Sequence, residues 1–258
     1  MTRMRTATIC LVAAFATWAG TASVAMAVLP EVGRCVKVAK TTGEFKTAGC
    51  TGGVAAGGSY DWLAGAGEHS GFIVKAGRTK VEAGPLGSIE CAKGQGTGTI
   101  TSPSTDVISV TFSKCASGGK RCTSEGSPTG AMQVSNWKSI WVDRNQEKTG
   151  LPPIQVLVPG ESSVVTSGSC EGTAFRITGA VVGSAGGNVN KMARTNTLAY
   201  VVSEGVQGPS TYLSREGEVL AATLETEVTI APEVLFATTL TSVCTNKYEE
   251  KLEVKSEA

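Results

Sequence analysis

The sequence predicts an all-β protein, an antiparallel β-sandwich or barrel-like domain of short strands, glycine-rich turns and disulfides. Two observations carry that expectation. Apolar residues recur at every second position in most of the ordered-looking runs, and glycine pairs or Gly-Pro punctuate the chain between them. Period-two alternation describes strands with one buried face, and many short strands between turn residues describe sandwiches and barrels.

Taken in chain order, VISVTFS (107–113) places Ile108, Val110 and Phe112 on one face, opposite Ser109, Thr111 and Ser113. Trp137 and Trp141 share a strand face, where large rings bury much area as core. Phe175, Ile177 and Val181 line one face of AFRITGAVV (174–182), and Leu198, Tyr200 and Val202 do so in TLAYVV (197–202). EVLAATLETEVTI (218–230) reads as the longest strand, with Leu220, Ala222, Leu224, Val228 and Ile230 in phase. In KYEEKLEVK (247–255), Lys247, Glu249, Lys251, Glu253 and Lys255 face water while Tyr248, Leu252 and Val254 face inward. That segment reads as a closing edge strand whose charges discourage edge-to-edge pairing.

Between these runs lie the turn signals Gly52-Gly53, Gly57-Gly58, Gly118-Gly119, Gly186-Gly187 and Gly208-Pro209. Pro152-Pro153 marks a sub-boundary near 150–153, because proline ends a ladder or confines it to an edge. The competing reading is a hairpin, with Trp137–Val142 and Ile154–Val158 as its strands and 143–148 as its turn. The hairpin is favoured, so residues 28–258 are expected to form one continuous β-rich domain.

Residues 1–27 have the anatomy of a cleaved secretory signal peptide: Arg3 and Arg5, an apolar stretch from Ala7 to about Ala19, and Ala25-Met26-Ala27 as a small-x-small cleavage site. The apolar stretch is shorter than the roughly 20 residues a spanning helix needs, and no later segment approaches that length. The expected location is therefore secreted, extracellular or at the cell surface, with no transmembrane segment in the mature chain. The whole chain has 23 Lys+Arg and 22 Asp+Glu. Loss of Arg3 and Arg5 leaves 21 against 22, which supplies no global basic field for nucleic acid.

Of eight cysteines, Cys10 lies in the leader and seven remain. In an exported chain they default to disulfides, with one left over. Spacing does not determine connectivity, but short loops favour Cys35–Cys50 and Cys115–Cys122, and elimination then gives Cys91–Cys170. Cys244 is the unpaired candidate and raises the prospect of a covalent dimer.

Catalytic chemistry finds little support. The single histidine, His69, sits in the polar loop GAGEHSGF and reads as a solvated residue. Gly168-Ser-Cys-Glu-Gly172 matches a nucleophile elbow, yet a strand follows it and no histidine comes after. Gly94-Gln-Gly96-Thr-Gly98 leads into another strand, not into a helix that holds phosphate. The carboxylates Glu82, Glu90, Asp106, Asp143, Glu171, Glu225 and Glu227 are scattered, and none stands in an obviously apolar setting. No metal or cofactor motif is present. KCASGGKRC (114–122) lacks the second cysteine pair of a zinc knuckle and the spacing of a redox motif. It reads as a hairpin end whose Lys114, Lys120 and Arg121 form a solvated tip, with anion contact as the lesser reading. Tyr60 and Trp62, in a glycine-flanked segment, are weak binding candidates.

Three stretches, PEVGRCVKVAK…GEFKTAGC, TFSKCASGGKRCTSEG and CEGTAFRITGAVVG…NKMARTNTLAY, are similar to a family of exported, disulfide-containing, β-rich bacterial proteins of uncharacterised function. The similarity runs across nearly all of the mature chain. It implies export, cysteine positions and a β-rich fold, and no catalytic residue; Cys244 departs from the pattern. The expected function is a non-catalytic structural or binding role, with an envelope component, glycan or protein as partner and no cofactor. The alternative is a secreted hydrolase acting on polysaccharide through paired carboxylates.

Overall fold

In the computed structural model, residues 29–51, 57–144, 153–160, 163–214, 218–229 and 231–256 are described. The signal peptide expected at 1–27 lies outside them. The chain opens with β1 (Glu31–Lys37) and β2 (Tyr60–Ala64), then β3 (Gly71–Ala76), β4 (Thr79–Glu82), a 3-10 turn (Gly84–Leu86), β5 (Ser88–Cys91) and β6 (Lys93–Ser102). There follow β7 (Thr105–Ser113), β8 (Ala116–Ser117), β9 (Lys120–Ser124), β10 (Ala131–Val142), β11 (Ile154–Val158), β12 (Val164–Cys170), β13 (Thr173–Gly179) and β14 (Val181–Gly186). The last are β15 (Ala193–Ser203), β16 (Val206–Gly208), β17 (Thr211–Leu213), β18 (Val219–Ala221), β19 (Leu224–Val228) and β20 (Ala231–Lys255).

Antiparallel pairing closes a ring of eight: β3, β6, β7, β10, β11, β14, β15, β20 and back to β3. Closure leaves no edge strand, which is how a β architecture removes unpaired backbone altogether. A second ring continues from the same staves: β4, β5, β8, β9, β12, β13, β19, β20 and back to β4. Most staves thus cross both rings in two pieces, such as β3 with β4, while β20 runs through unbroken. The architecture is an up-and-down barrel.

One stave is assembled differently. β15 fills it in the first ring and β19 in the second, while the chain between them leaves the wall as β16, β17 and β18. The junction would orphan backbone groups of the neighbouring stave. Gln207 occupies it: its side-chain amide donates to the Val201 carbonyl (3.0 Å) and accepts from the Leu240 N–H (2.7 Å). Here a side chain replaces a backbone rung.

The excursion corrects the expectation of one strand over 218–230. The run breaks at Ala222-Thr223, so Leu220 stands on β18 outside the wall and is 37% exposed, while Thr226 is fully buried on β19. Thr226 Oγ1 shares a hydrogen bond with Thr238 Oγ1 at 2.7 Å, so this polar residue keeps the inward phase between Leu224 and Val228. Outside the wall, Tyr212 and Ala222 pack on Val142, Ile154, Val156 and Val182, the outward residues of β10, β11 and β14. Burial on both faces explains why these strands are apolar at consecutive positions.

The two strands of the expected hairpin pair as β10 and β11, with Val142 opposite Ile154, while residues 145–152 between them lie outside the described residues. Segment 247–255 is corrected from an edge strand to an interior stave. β20 bonds to β15 and β3 on its two sides, and at its end to β1. β1 also closes that end of the barrel, its Val32 N–H donating to the Pro103 carbonyl at 2.7 Å. Glu253, expected in water, is 6% exposed because it lies opposite Gly33 of β1. Burial pushes its carboxyl pKa up.

One apolar cluster fills both rings, from Leu252, Phe72 and Leu198 to Ile89, Phe175 and Val228. It includes the expected Ile108, Val110, Trp137 and Trp141. The glycines of β6 make room for its rings: a Cβ on Gly98 would lie 2.1 Å from Phe72 Cζ, and one on Gly94 would lie 2.8 Å from Phe112. Trp62 covers Gly33 in the same way at the β1 end.

The disulfides are Cys35–Cys50, as the short spacing suggested, Cys91–Cys115 and Cys122–Cys170. The last two correct the expected Cys115–Cys122 and Cys91–Cys170. The hairpin across Gly118-Gly119 is present, with Ala116 opposite Arg121. Registers Glu90↔Ala116, Ala116↔Arg121 and Cys122↔Cys170 set Cys91, Cys115, Cys122 and Cys170 in one buried row across four neighbouring staves. A bond between the middle two would strand the outer two about 14 Å apart at ~4.8 Å per strand, beyond disulfide reach. One backbone hydrogen bond joins Cys122 to Cys115, the Cys122 N–H donating to the Cys115 carbonyl at 2.9 Å, while the Cys115 N–H donates to the Gly130 carbonyl at 2.8 Å. The bonded pairs have Cα separations of 4.0 Å.

Candidate functional site

The two cross-strand disulfides stand at the barrel end opposite β1, and beside them opens a groove of about 940 Å³. β5 and β8 pair over only two positions, Ile89↔Ser117 and Glu90↔Ala116, and the short contact leaves space between the 3-10 turn and the β8–β9 hairpin. Its lining includes Arg78, Ser88, Glu90, Lys114, Ser117, Gly118, Gly119 and Lys120, together with Cys91 and Cys170. Ser117 Oγ donates to the Leu86 carbonyl, which ties the hairpin to the 3-10 turn. Gly118 and Gly119 turn the hairpin at φ 57° and 84°, and a Cβ on either would meet open space. Positive φ, not crowding, is what asks for glycine here.

The groove is cationic. Arg78 pairs with Glu90, whereas Lys114 and Lys120 have no salt-bridge partner among the described residues. Lys114 adopts φ 56°, a left-handed conformation forced where the stave bends from β7 into β8. Just outside, Lys80 pairs with Glu82, and Ser88 Oγ donates to Glu82 at 2.6 Å. The hydrogen bond from Lys80, then that from Ser88, pulls the Glu82 carboxyl below its ordinary range.

The seven scattered carboxylates do not converge in the groove. Glu90 alone among them lines it, and among the described residues no aromatic does. Glu171 lies at the β12–β13 turn with φ 42°, and Glu225 and Glu227 sit along β19. Asp106 corrects the expectation that none stands in an apolar setting. It is 3% exposed inside the barrel, and burial pushes its carboxyl up to about 7. Gln155 Nε2 donates to Asp106 Oδ2 at 2.9 Å. Ser139 and Trp141 approach as well and draw the pKa partway back, without hydrogen-bond geometry.

Asp106 belongs to a polar layer within the lumen. Asn196 and Asn246 are paired across β15 and β20, both about fully buried, and Tyr248 lies beside them. Tyr248 and Tyr200 have their phenol pKa values raised, first by burial and then by nearby charges. Two small cavities, of about 30 and 50 Å³, lie in the lumen and share Thr79, Phe112, Trp137 and Leu240 in their walls.

Cys244 is free, and its thiol borders the smaller cavity at 3.8 Å from Ser242 Oγ. Burial raises its pKa, so the thiolate is scarce. Tyr60 and Trp62 lie near the β1 end, away from the groove. Tyr60 bridges to Phe45, and Trp62 has the Lys255 ammonium 4.8 Å over its ring. His69 is an exposed loop residue, with Nδ1 3.0 Å from Glu249 Oε2.

Of the groove residues, Lys114 and Lys120 stood out in the sequence as a basic hairpin tip. Arg78, Ser88 and Glu90 did not, because strand pairing brings them there from elsewhere in the chain. Asp106 carried a readable signal: it is in phase with Ile108, Val110 and Phe112. No known protein family, characterised protein or solved structure matches the chain.

Proposed function

We propose that the protein is a non-catalytic, secreted or cell-surface binding protein, a rigid barrel whose groove at the disulfide-bonded end holds an envelope component. The groove carries this reading: it is open, large enough for a ligand, and walled in part by Cys91 and Cys170, one from each of two cross-strand disulfides. Ligand sites commonly occupy 300–1,000 Å³ and are formed before the ligand arrives. Three disulfides suit an oxidising, extracellular setting.

A direct test incubates the purified, fully disulfide-bonded chain with cell-envelope fractions and compares it with Ala116→Trp, which fills the groove wall. Retention of wild type and loss by Ala116→Trp is the expected result. Equal retention, or hydrolysis of a polysaccharide, ester or peptide panel that one carboxylate substitution abolishes, would overturn the reading.

A further inference from the structure

We infer that the groove recognises an anionic polymer, a hydroxylated chain bearing phosphate or carboxylate groups. This rests on the binding role proposed above and names the ligand chemistry. The whole chain has a formal net charge of only +1, so a local excess of cations is a property of the site. Glu90 is held by Arg78, while Lys114 and Lys120, on either side of the Gly118-Gly119 turn, have no salt-bridge partner among the described residues.

Their placement is structural. Lys114 is fixed next to Cys115, which is bonded to Cys91, and Lys120 lies two residues before Cys122, which is bonded to Cys170. The two backbone positions that project these ammonium groups are therefore pinned by different disulfides, with the Gly118-Gly119 turn between them. An ammonium is a compact charge that suits phosphate and carboxylate oxygens alike. Ser88 and Ser117 add hydroxyls to the lining, although each already donates one hydrogen bond, to Glu82 and to the Leu86 carbonyl. Each keeps lone pairs that accept from a hydroxylated ligand.

The lining also argues against other ligands. Among the described residues no aromatic ring borders the groove, which leaves a neutral sugar without a stacking platform there. A peptide that added a strand would need an unpaired sheet edge, and β8 is paired to β5 and β9 on its two sides.

The test titrates the full disulfide-bonded chain with three probes of similar length: a poly(glycerol phosphate), an oligogalacturonate and a neutral maltooligosaccharide. Wild type, Lys114→Gln/Lys120→Gln, Lys247→Gln/Lys251→Gln and Ala116→Trp are compared by calorimetry, after mass spectrometry establishes three disulfides in each. One or both anionic probes should bind, with affinity falling as salt is raised and about tenfold weaker in the groove double variant. The control double variant, on β20 away from the groove, should match wild type, and the two anionic arms tell phosphate from carboxylate. Equal binding by Lys114→Gln/Lys120→Gln, or neutral binding as tight as anionic, overturns the anionic assignment. If Ala116→Trp still abolishes binding in that case, the groove itself stands. Absence of binding by all three probes overturns the inference, and the envelope-fraction experiment then judges the binding role alone.

Discussion

The Cys122 N–H donates to the Cys115 carbonyl across the hairpin, yet each cysteine is disulfide-bonded away from the other, Cys115 to Cys91 and Cys122 to Cys170. The row of four inward cysteines joins the staves in pairs and shapes the groove wall. Peptide mapping without reduction should recover Cys91–Cys115 and Cys122–Cys170 fragments; a Cys115–Cys122 fragment would refute the row. Replacing Cys122 and Cys170 together by serine removes the closure of a 48-residue separation. Chain entropy then predicts a loss of about 4 kcal/mol, read from chemical unfolding.

The Gln207 side chain stands in for a missing rung between two partial staves. Gln207→Ala would leave the Leu240 N–H and Val201 carbonyl without these partners inside the wall, at a cost of about 1–3 kcal/mol. Denaturant unfolding measures this, and a change under 0.5 kcal/mol would show the junction does not depend on that side chain.

At Gly98, any Cβ meets the Phe72 ring. Gly98→Ala should cost about 1–3 kcal/mol through overpacking, and Phe72→Leu in the same chain should return part of it. Additive losses in the double-mutant cycle would contradict the close packing.

Burial pushes the Asp106 carboxyl up to about 7 in the folded barrel, against an ordinary 3.8, so the folded state binds the proton more tightly. Its contribution is fully present below about pH 4, declines as pH rises toward 7 and is flat above that. The total is on the order of 4 kcal/mol. Asp106→Asn should remove this part of the pH dependence of unfolding and be the more stable form near pH 8. An Asp106 variant with the wild-type pH profile would place the titration elsewhere.

Cys244 was expected as the odd cysteine, with a covalent dimer as one consequence. Its thiol beside Ser242 and the lumen cavity predicts slow reaction with thiol reagents in the native state and fast reaction after unfolding. Non-reducing electrophoresis should give a monomer for both wild type and Cys244→Ser. A dimer band lost in the variant would show the thiol accessible.

Period-two order made the β class and the inward faces of β7 and β15 legible, because alternation is a local property. Closure into a ring was not, since it depends on β20 pairing with β3 across most of the chain. The disulfide partners failed for the same reason: loop length favours Cys115–Cys122, whereas the register across four staves decides the bonds. The break in 218–230 was hidden because Ala222 is buried in either arrangement, once in the expected core and once on the outer wall. In the groove, the lysines were visible as a basic tip, but Arg78 and Glu90 join them only through the β4–β5 and β5–β8 registers.

Amide chemical-shift mapping of the full disulfide-bonded chain during titration with the anionic polymer that binds locates the ligand on the barrel. Perturbations should concentrate at Arg78, Ser88–Glu90, Lys114 and Ser117–Lys120. Perturbations centred on Tyr60 and Trp62 at the opposite end, or spread evenly over surface lysines, would contradict binding in the groove.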